Sequence, residues 1–251
     1  LVGCKTIALD GYVKENQYID NIVPVAKREN IHNVDRCFEC LKYFGINSEY
    51  NENIYYRRIF NKEKIEKTYT QLNLGLSNEE FIVLCVGANK VSFKINGKYK
   101  SNDVKNWPIE NWIVLANSLN KENIRVVLVG GKNDIKKIID CKERLDNSIL
   151  NLVGRMNIAE SISILEYAKM VVGCDTGLMH CAASLNKRTL MLLGGITPIQ
   201  AQGYGKNSES IYLHKQCSPC FGTGKDVFCN DPVCMKEISV ENVLERILNI
   251  C

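Results

Sequence analysis

The sequence predicts an α/β fold built on a parallel sheet covered on both faces. Two observations predict it. From Phe81 to Leu193 short apolar runs alternate regularly with amphipathic segments of helical length, the pattern of strands joined by crossover helices. The helical segments also carry their own signatures. Ile162, Leu165 and Ala168 make one face, and Asn157 with Glu160 three residues later is a capping-box pair.

Taken in order, Lys5 to Leu9 reads as a strand. Ile31 to Phe44 reads as a helix, with Val34, Cys37 or Phe38, Leu41 and Phe44 at helical spacing and Gly45 as its stop. Asn51 to Lys67 is polar and mixed in charge, and is expected to be solvated surface. Gly75 and Ser77 lie between two periodic segments, which places a domain boundary there. Residues 1–75 are expected to be the remainder of an N-terminal α/β domain, and 76–251 a nucleotide-binding Rossmann-like domain.

The second part runs strand Phe81–Val86, helix Ile109–Leu119, strand Arg125–Val129, helix Ile135–Leu145 and strand Ile149–Val153. Helix Ile158–Ala168, strand Met170–Val172, helix Leu178–Leu185, strand Thr189–Leu193 and helix Val240–Ile250 follow. One segment breaks the rhythm. Val91 to Lys100 alternates apolar and polar residues around Asn96-Gly97, a strong hairpin signal. It sits where a loop at the carboxyl end of a strand would flank a ligand, as a lid.

Composition narrows the function classes. The 251 residues carry 45% hydrophobic and 24% charged residues and a formal net charge of +4, too mild to imply nucleic acid. The longest apolar runs, such as Thr189 to Ile196, are about eight residues, well short of the roughly 18–20 that a membrane helix needs. The first residues show no signal peptide. Leu1 is not a start methionine and the chain opens inside an apparent strand, so an upstream region is expected. Cys4, Cys37, Cys40, Cys85, Cys141, Cys174, Cys181 and Cys251 are scattered, mostly in apolar runs. Without an export signal they suit a reduced, cytoplasmic setting.

Three junctions carry candidate chemistry. Cys174-Asp175-Thr176-Gly177-Leu178-Met179-His180 follows a buried strand and opens a helix. The bare amides at such a start suit a phosphate, although Asp175 or Thr176 can equally be a plain helix cap. His180, one turn in, is either a ligand contact or a packed histidine. Lys105-Asn106-Trp107-Pro108 lies at another strand-to-helix junction, where the lysine can meet a diphosphate and Trp107 can staple the turn to the core. Gly130-Gly131-Lys132-Asn133-Asp134 ends a third strand and sets Asp134 near a ribose. Neither a G-x-G-x-x-G fingerprint nor a P-loop is present.

As an ordered set, Gly87-Ala88, Lys105-x-Trp107-Pro108, Gly130-Gly131, Asn151-Leu152-x-Gly154-Arg155, Asp175-Thr176-Gly177-x-x-His180, Thr197-Pro198, Cys217-Ser218-Pro219-Cys220 and Cys234-Met235 resemble the bacterial heptosyltransferases, glycosyltransferase family 9. The resemblance implies the two-domain GT-B architecture and an inverting, metal-independent transfer of heptose from ADP-heptose to a lipopolysaccharide core or other surface glycan. It implies that Ser101 and Lys105 contact phosphate, that Thr176 and Gly177 hold the diphosphate and that Asp175 binds the sugar, with His180 in the same motif. The family's general base is an aspartate near the start of the first domain. It is expected upstream of Leu1, so the chain alone is expected to be inactive. The hairpin around Asn96-Gly97 departs from the family pattern. The implied partners are a nucleotide-sugar donor and a lipid-linked glycan acceptor, with peripheral contact at the inner face of the cytoplasmic membrane. A nucleotide-sugar epimerase of the same architecture and a non-catalytic binding module are the alternatives; acceptor-dependent nucleotide release separates them.

Cys217, Cys220, Cys229 and Cys234 form a cluster around a glycine-rich loop. Four thiolates at this spacing suit a structural zinc ion, and free thiols, or disulfides in an oxidising preparation, are the plain alternative.

Overall fold

Strands buried on both faces read as continuous apolar runs, and the central sheet is made of such runs. The computed structural model describes residues 7–9, 21–23, 30–47, 62–76, 80–95, 98–220 and 229–250; the side chains of 7–9, 21–23, 91–95, 98–102 and 142 lie outside that description. Outside it too are Cys4, Cys251, the Asn96-Gly97 turn and the loop 221–228.

A short parallel pair, β1 (Ile7–Leu9) with β2 (Asn21–Val23), precedes helices α1 (Asn33–Tyr43) and α2 (Lys62–Leu72). The main body then runs β3 (Phe81–Cys85), hairpin β4 (Val91–Ile95) and β5 (Lys98–Asn102), α3 (Ile109–Lys121), β6 (Arg125–Val129), α4 (Ile135–Ile139) and β7 (Leu150–Asn151). It continues with α5 (Ile158–Tyr167), β8 (Met170–Cys174), α6 (Gly177–Ser184), β9 (Arg188–Leu193), α7 (Pro198–Ala201), β10 (Ser208–Tyr212), α8 (Val233–Lys236) and α9 (Val240–Ile250). Six of these strands form one parallel sheet in the order β10-β9-β8-β3-β6-β7.

Alternate side chains of each strand enter different layers. Ile82 and Leu84 of β3 join Trp112, Leu115 and Leu119 of α3 and Val243 and Ile247 of α9. Phe81, Val83 and Cys85 join Ile162 and Leu165 of α5 and Met179 and Ala182 of α6. The predicted α/β class with both faces covered is what forms. The Asn157–Glu160 capping box closes reciprocally at the start of α5, and Gly45 ends α1 in the left-handed region at φ 74°.

Several elements differ from expectation. The solvated surface expected up to Lys67 gives way at Lys62 to α2. Its Ile65, Tyr69 and Leu72 recur at helical spacing, and Tyr69 stacks on Tyr167 of α5 with ring centroids 4.0 Å apart. The boundary expected near residue 75 thus falls just after a helix that packs on the large sheet's own layer. In α1, Cys37 and Phe44 are exposed, and Arg36 is the buried residue. The helix expected to reach Leu145 stops at Ile139 and resumes as a 3-10 turn at Lys142–Arg144. Strand β10 had no strong signal, because an edge strand reading Ser-Glu-Ser-Ile-Tyr buries only Ser208 and Ile211.

Helix α6 lies tight on β8 at Gly173. A Cβ there would stand 2.7 Å from the Met179 sulfur and 2.9 Å from Cys85 Cβ. Gly173→Val should therefore destabilise the protein by about 1–3 kcal/mol, as overpacked cores do, measured by urea unfolding. An unchanged midpoint would show that α6 is free to shift.

Candidate functional site

The strand order reverses between β3 and β8. From β3 the chain moves outward through β6 and β7, then returns to lay β8 against the other edge of β3. The loops leaving β3 and β8 at their carboxyl ends separate there, and ligands of open α/β sheets bind in that crevice.

Both loops bring predicted residues to it. Lys105 Nζ donates to Asp175 Oδ2 at 2.6 Å, and His180 Nε2 lies 3.2 Å from Asp175 Oδ1. The side chain of Asp175 is 14% exposed, against 23% for Lys105 and 40% for His180. Burial pushes the Asp175 carboxyl up. The hydrogen bond from His180 and the charge and hydrogen bond of Lys105 outweigh it and hold the group below its usual range.

The backbone around Lys105 is fixed on both sides. The Asn106 side chain accepts from Ala88 N–H at 2.6 Å and donates to Ala88 C=O at 2.8 Å, so it closes the base of the β4–β5 hairpin. It also donates to Asp103, which Lys137 meets from α4 at 3.1 Å. Trp107 does what the sequence suggested. Its indole N–H donates to Ile238 C=O at 2.9 Å, and its ring meets Trp112 edge-on at 4.9 Å. Its backbone N–H donates to Cys174 Sγ at 3.4 Å. Burial, the largest influence, pushes the Cys174 thiol up to about 12, so it stays neutral as the acceptor. The last residue of β8 thus ties the Lys105 loop to the turn that begins at Asp175.

That turn is not a plain cap. Thr176 occupies the N-cap of α6 without a side-chain cap bond, and its hydroxyl is buried with no partner among the described residues. Asp175 is engaged by Lys105 and His180 instead. Gly177 is exposed, and beyond its chain neighbours and its own helix backbone no heavy atom lies within 4 Å of where its Cβ would stand. The start of α6 is thus open at Gly177, and the unpaired amides of a helix start suit an anion.

Asp134, expected near a ribose, sits behind the loop after β6. It is buried, and its carboxylate accepts from Gly131 N–H at 3.0 Å, with Lys137 3.7 Å away. A Cβ on Gly87 would fall 2.0 Å from its Oδ2. Its visible work is to brace the loops after β3 and β6. Ser101 lies in β5, with its side chain outside the described residues.

Of the four clustered cysteines, Cys217 is exposed, Cys220 and Cys229 are half-buried and Cys234 is buried. Two of them meet at the end of β9. Cys220 N–H donates to Gly195 C=O at 3.0 Å, and Cys234 Sγ lies 2.7 Å from where a Cβ on Gly194 would stand. Burial first, and then the charges of Cys220, Cys217 and Cys229, push the Cys234 thiol up to about 11. Among the described residues no group of three or more His, Cys, Asp or Glu side chains is arranged to hold a metal ion.

Residues not singled out in the sequence also border the site. His32 caps α1 by accepting from Val34 N–H at 3.1 Å, and its Nε2 meets Gln202 C=O at 2.8 Å. Burial lowers its pKa, opposed by the Gln202 bond and by Asp35, and the charge of His180 lowers it further. Tyr204 donates to Asp35 and lies 4.8 Å from the His32 ring. These contacts dock α1 beside the crevice. A lone histidine before a helix gave no sequence signal beyond a cap.

The model of glycosyltransferase family 9 (heptosyltransferase) matches residues 5–229. The chain is 32% identical over 120 residues to lipopolysaccharide heptosyltransferase 1 of Salmonella typhimurium, across 47% of this chain and 36% of that protein. It therefore matches about a third of that curated relative's length. A family 9 glycosyl transferase of Veillonella parvula superposes with a TM-score of 0.69 at 15% identity, covering 93% of this chain and 63% of that one. An Escherichia coli heptosyltransferase solved with ADP-2-deoxy-2-fluoro heptose gives a TM-score of 0.60 at 20% identity, covering 93% and 60%. These likenesses show an α/β fold of the GT-B type. Among the described residues no helix is long and apolar enough to cross a membrane.

The depressed pKa of Asp175 has a consequence for acid stability. Its ordinary value is 3.8 and the folded value is lower, so between the two the unfolded chain binds the extra proton. The stabilisation is complete above the ordinary value and is lost as the pH falls through the folded one. Urea unfolding across about pH 5 to pH 2.5 should show a shallower acid limb for Asp175→Asn than for the parent. Parallel limbs would refute the assignment.

Proposed function

The chain belongs to glycosyltransferase family 9, the heptosyltransferases, and from that premise we propose that it binds the nucleotide-sugar donor of an inverting sugar transfer. The donor is ADP-heptose, and the acceptor is a lipopolysaccharide core or other surface glycan. The observation that carries this reading is the meeting of Lys105 with the Asp175–Gly177 turn at the switch point of the sheet. The ADP-sugar analogue in the E. coli neighbour supports the choice of donor.

In such a transfer the acceptor hydroxyl attacks the anomeric carbon on the face opposite the diphosphate. The new C–O bond forms as the bond to the β-phosphate breaks. The hydroxyl proton passes to a base, and ADP leaves with the bonding pair. This chain's residues serve the leaving group. The amides at the start of α6 face the diphosphate and Lys105 neutralises it from the neighbouring loop. The Thr176 hydroxyl, which has no partner among the described residues, gains a phosphate oxygen as acceptor. Asp175 holds Lys105 and His180 at the rim, where its carboxylate also meets sugar hydroxyls.

Two substitutions separate ligand binding from folding. Gly177→Val puts a branched side chain into open space, and Thr176→Val replaces a hydroxyl with no partner among the described residues by a methyl of similar shape. Each should leave the melting temperature within about 2–3 °C, since each removes no partnered group. Each should weaken ADP at least roughly tenfold, about 1.4 kcal/mol by calorimetry. Parent affinity in both variants would defeat the site.

For Cys217, Cys220, Cys229 and Cys234 the proposal is a structural zinc ion that draws four thiols into one tetrahedral set. Two of the four, Cys234 beside Gly194 and Cys220 bonded to Gly195, meet at the end of β9, and that supports it. Protein purified without chelators should hold about one zinc per chain, and Cys220→Ser should lose it with a lowered melting temperature. A metal-free parent of full stability would overturn it.

A further inference from the structure

Two cysteines of α1 differ in setting from those of the core. Cys37 is exposed and Cys40 is half-buried, whereas Cys85, Cys141, Cys174 and Cys181 are buried. Burial pushes the Cys85 and Cys174 thiols up to about 12, so both stay protonated and shielded. Outside the 217–234 cluster, Cys37 and Cys40 are thus the cysteines among the described residues that a small solute can reach.

They stand three residues apart in the middle of α1. On an α-helix that spacing leaves the Cα atoms about 5 Å apart, inside the roughly 4.4–6.8 Å that a disulfide spans. Neighbouring Cβ atoms at this spacing are about 5–6 Å apart, so a bond needs the turn to tighten by roughly 1–2 Å. The two sulfurs are not equivalent. Arg36, the residue that α1 buries, lies one turn before Cys40, so Cys40 borders the docked face and Cys37 faces solvent. Burial first, and then the charge of Cys37, push the Cys40 thiol up, and the Arg36 charge opposes them. A solvent-facing thiol with a second, sheltered thiol in reach is the arrangement of an attacking and a resolving cysteine.

We infer that Cys37 and Cys40 form a reversible dithiol–disulfide couple that reacts with hydroperoxides. The Cys37 thiolate attacks one peroxide oxygen, the O–O bond breaks, and hydroxide or an alkoxide leaves and takes up a proton. Cys37 is then a sulfenic acid. The Cys40 sulfur attacks the Cys37 sulfur, the S–S bond forms as the S–O bond breaks, and water leaves with the proton of Cys40. Two thiols lose two electrons, and the peroxide gains them. The same helix docks beside the crevice, where His32 meets Gln202 and Asp35 meets Tyr204, so the bond forms within about two turns of those contacts. The couple goes beyond the donor reading and does not depend on it.

Trypsin cleaves after Arg36 and Lys42, so both sulfurs fall in the peptide 37–42. The full chain, reduced and freed of reductant, is treated with hydrogen peroxide, alkylated and digested. In the parent this peptide should lose about 2 Da, resist alkylation and recover both thiols with dithiothreitol. In Cys40→Ser, sulfenic acid trapped on Cys37 by dimedone should rise at least about fivefold over the parent. Cys37→Ser should slow oxidation of the peptide at least about tenfold. Sulfinic or sulfonic acids on both sulfurs of the parent without an internal bond would overturn the inference. So would a bond from Cys37 to a cysteine of the 217–234 cluster, or equal dimedone trapping in the parent and Cys40→Ser. Melting temperatures of the reduced variants report folding, and if either variant unfolds the parent's peptide map decides alone. ADP affinity and zinc content of the reduced parent are read separately. Their absence with the 37–40 bond present would sink those two proposals and leave the couple standing.

Discussion

The contact between Lys105 and Asp175 organises this protein, because it joins two loops that the sequence holds seventy residues apart. It exists because β3 and β8 are neighbours in the sheet although seven strands and helices separate them in the chain. A carboxylate with 14% of its side chain exposed needs compensation to stay ionised. Lysine and histidine from two different segments supply it, and the same pair keeps a cation poised at the mouth of the crevice.

Rigid packing under that contact fixes its geometry. Gly173 lets α6 settle onto β8, the neutral Cys174 thiol accepts the Trp107 amide, and Trp107 is held from behind by Ile238 and Trp112. Asp134 braces the loops after β3 and β6 from the other side of the crevice. Catalytic electrostatics depend on dipoles held in place before the ligand arrives. Here the holding is done by a buried thiol, two tryptophans and a buried carboxylate.

Different segments supply the rim. His32 and Tyr204 dock α1 next to His180, and the hairpin stands at the opposite junction, beyond Asn106. These segments meet at one edge of the sheet, because every crossover in a parallel sheet delivers its loop to the same side.

By itself, the sequence determined the strands, most helices and the three loops that carry chemistry. These are local matters: apolar runs such as Phe81–Cys85 and Met170–Cys174, the Asn157–Glu160 cap and the Asn96-Gly97 hairpin signal depend only on neighbours in the chain. It missed α2, whose polar composition hides three apolar residues at helical spacing, and β10, an edge strand with little to bury. Only the tertiary structure decided what the polar residues do. Asp175 and Thr176 read equally well as caps, and Asp134 as a ribose contact. The outcome turned on which groups the strand order brought within a few ångströms: Lys105 and His180 for Asp175, Gly87 and Gly131 for Asp134, and no partner for Thr176 among the described residues. A side chain's role follows from its partners, and the order in which strands assemble chooses them.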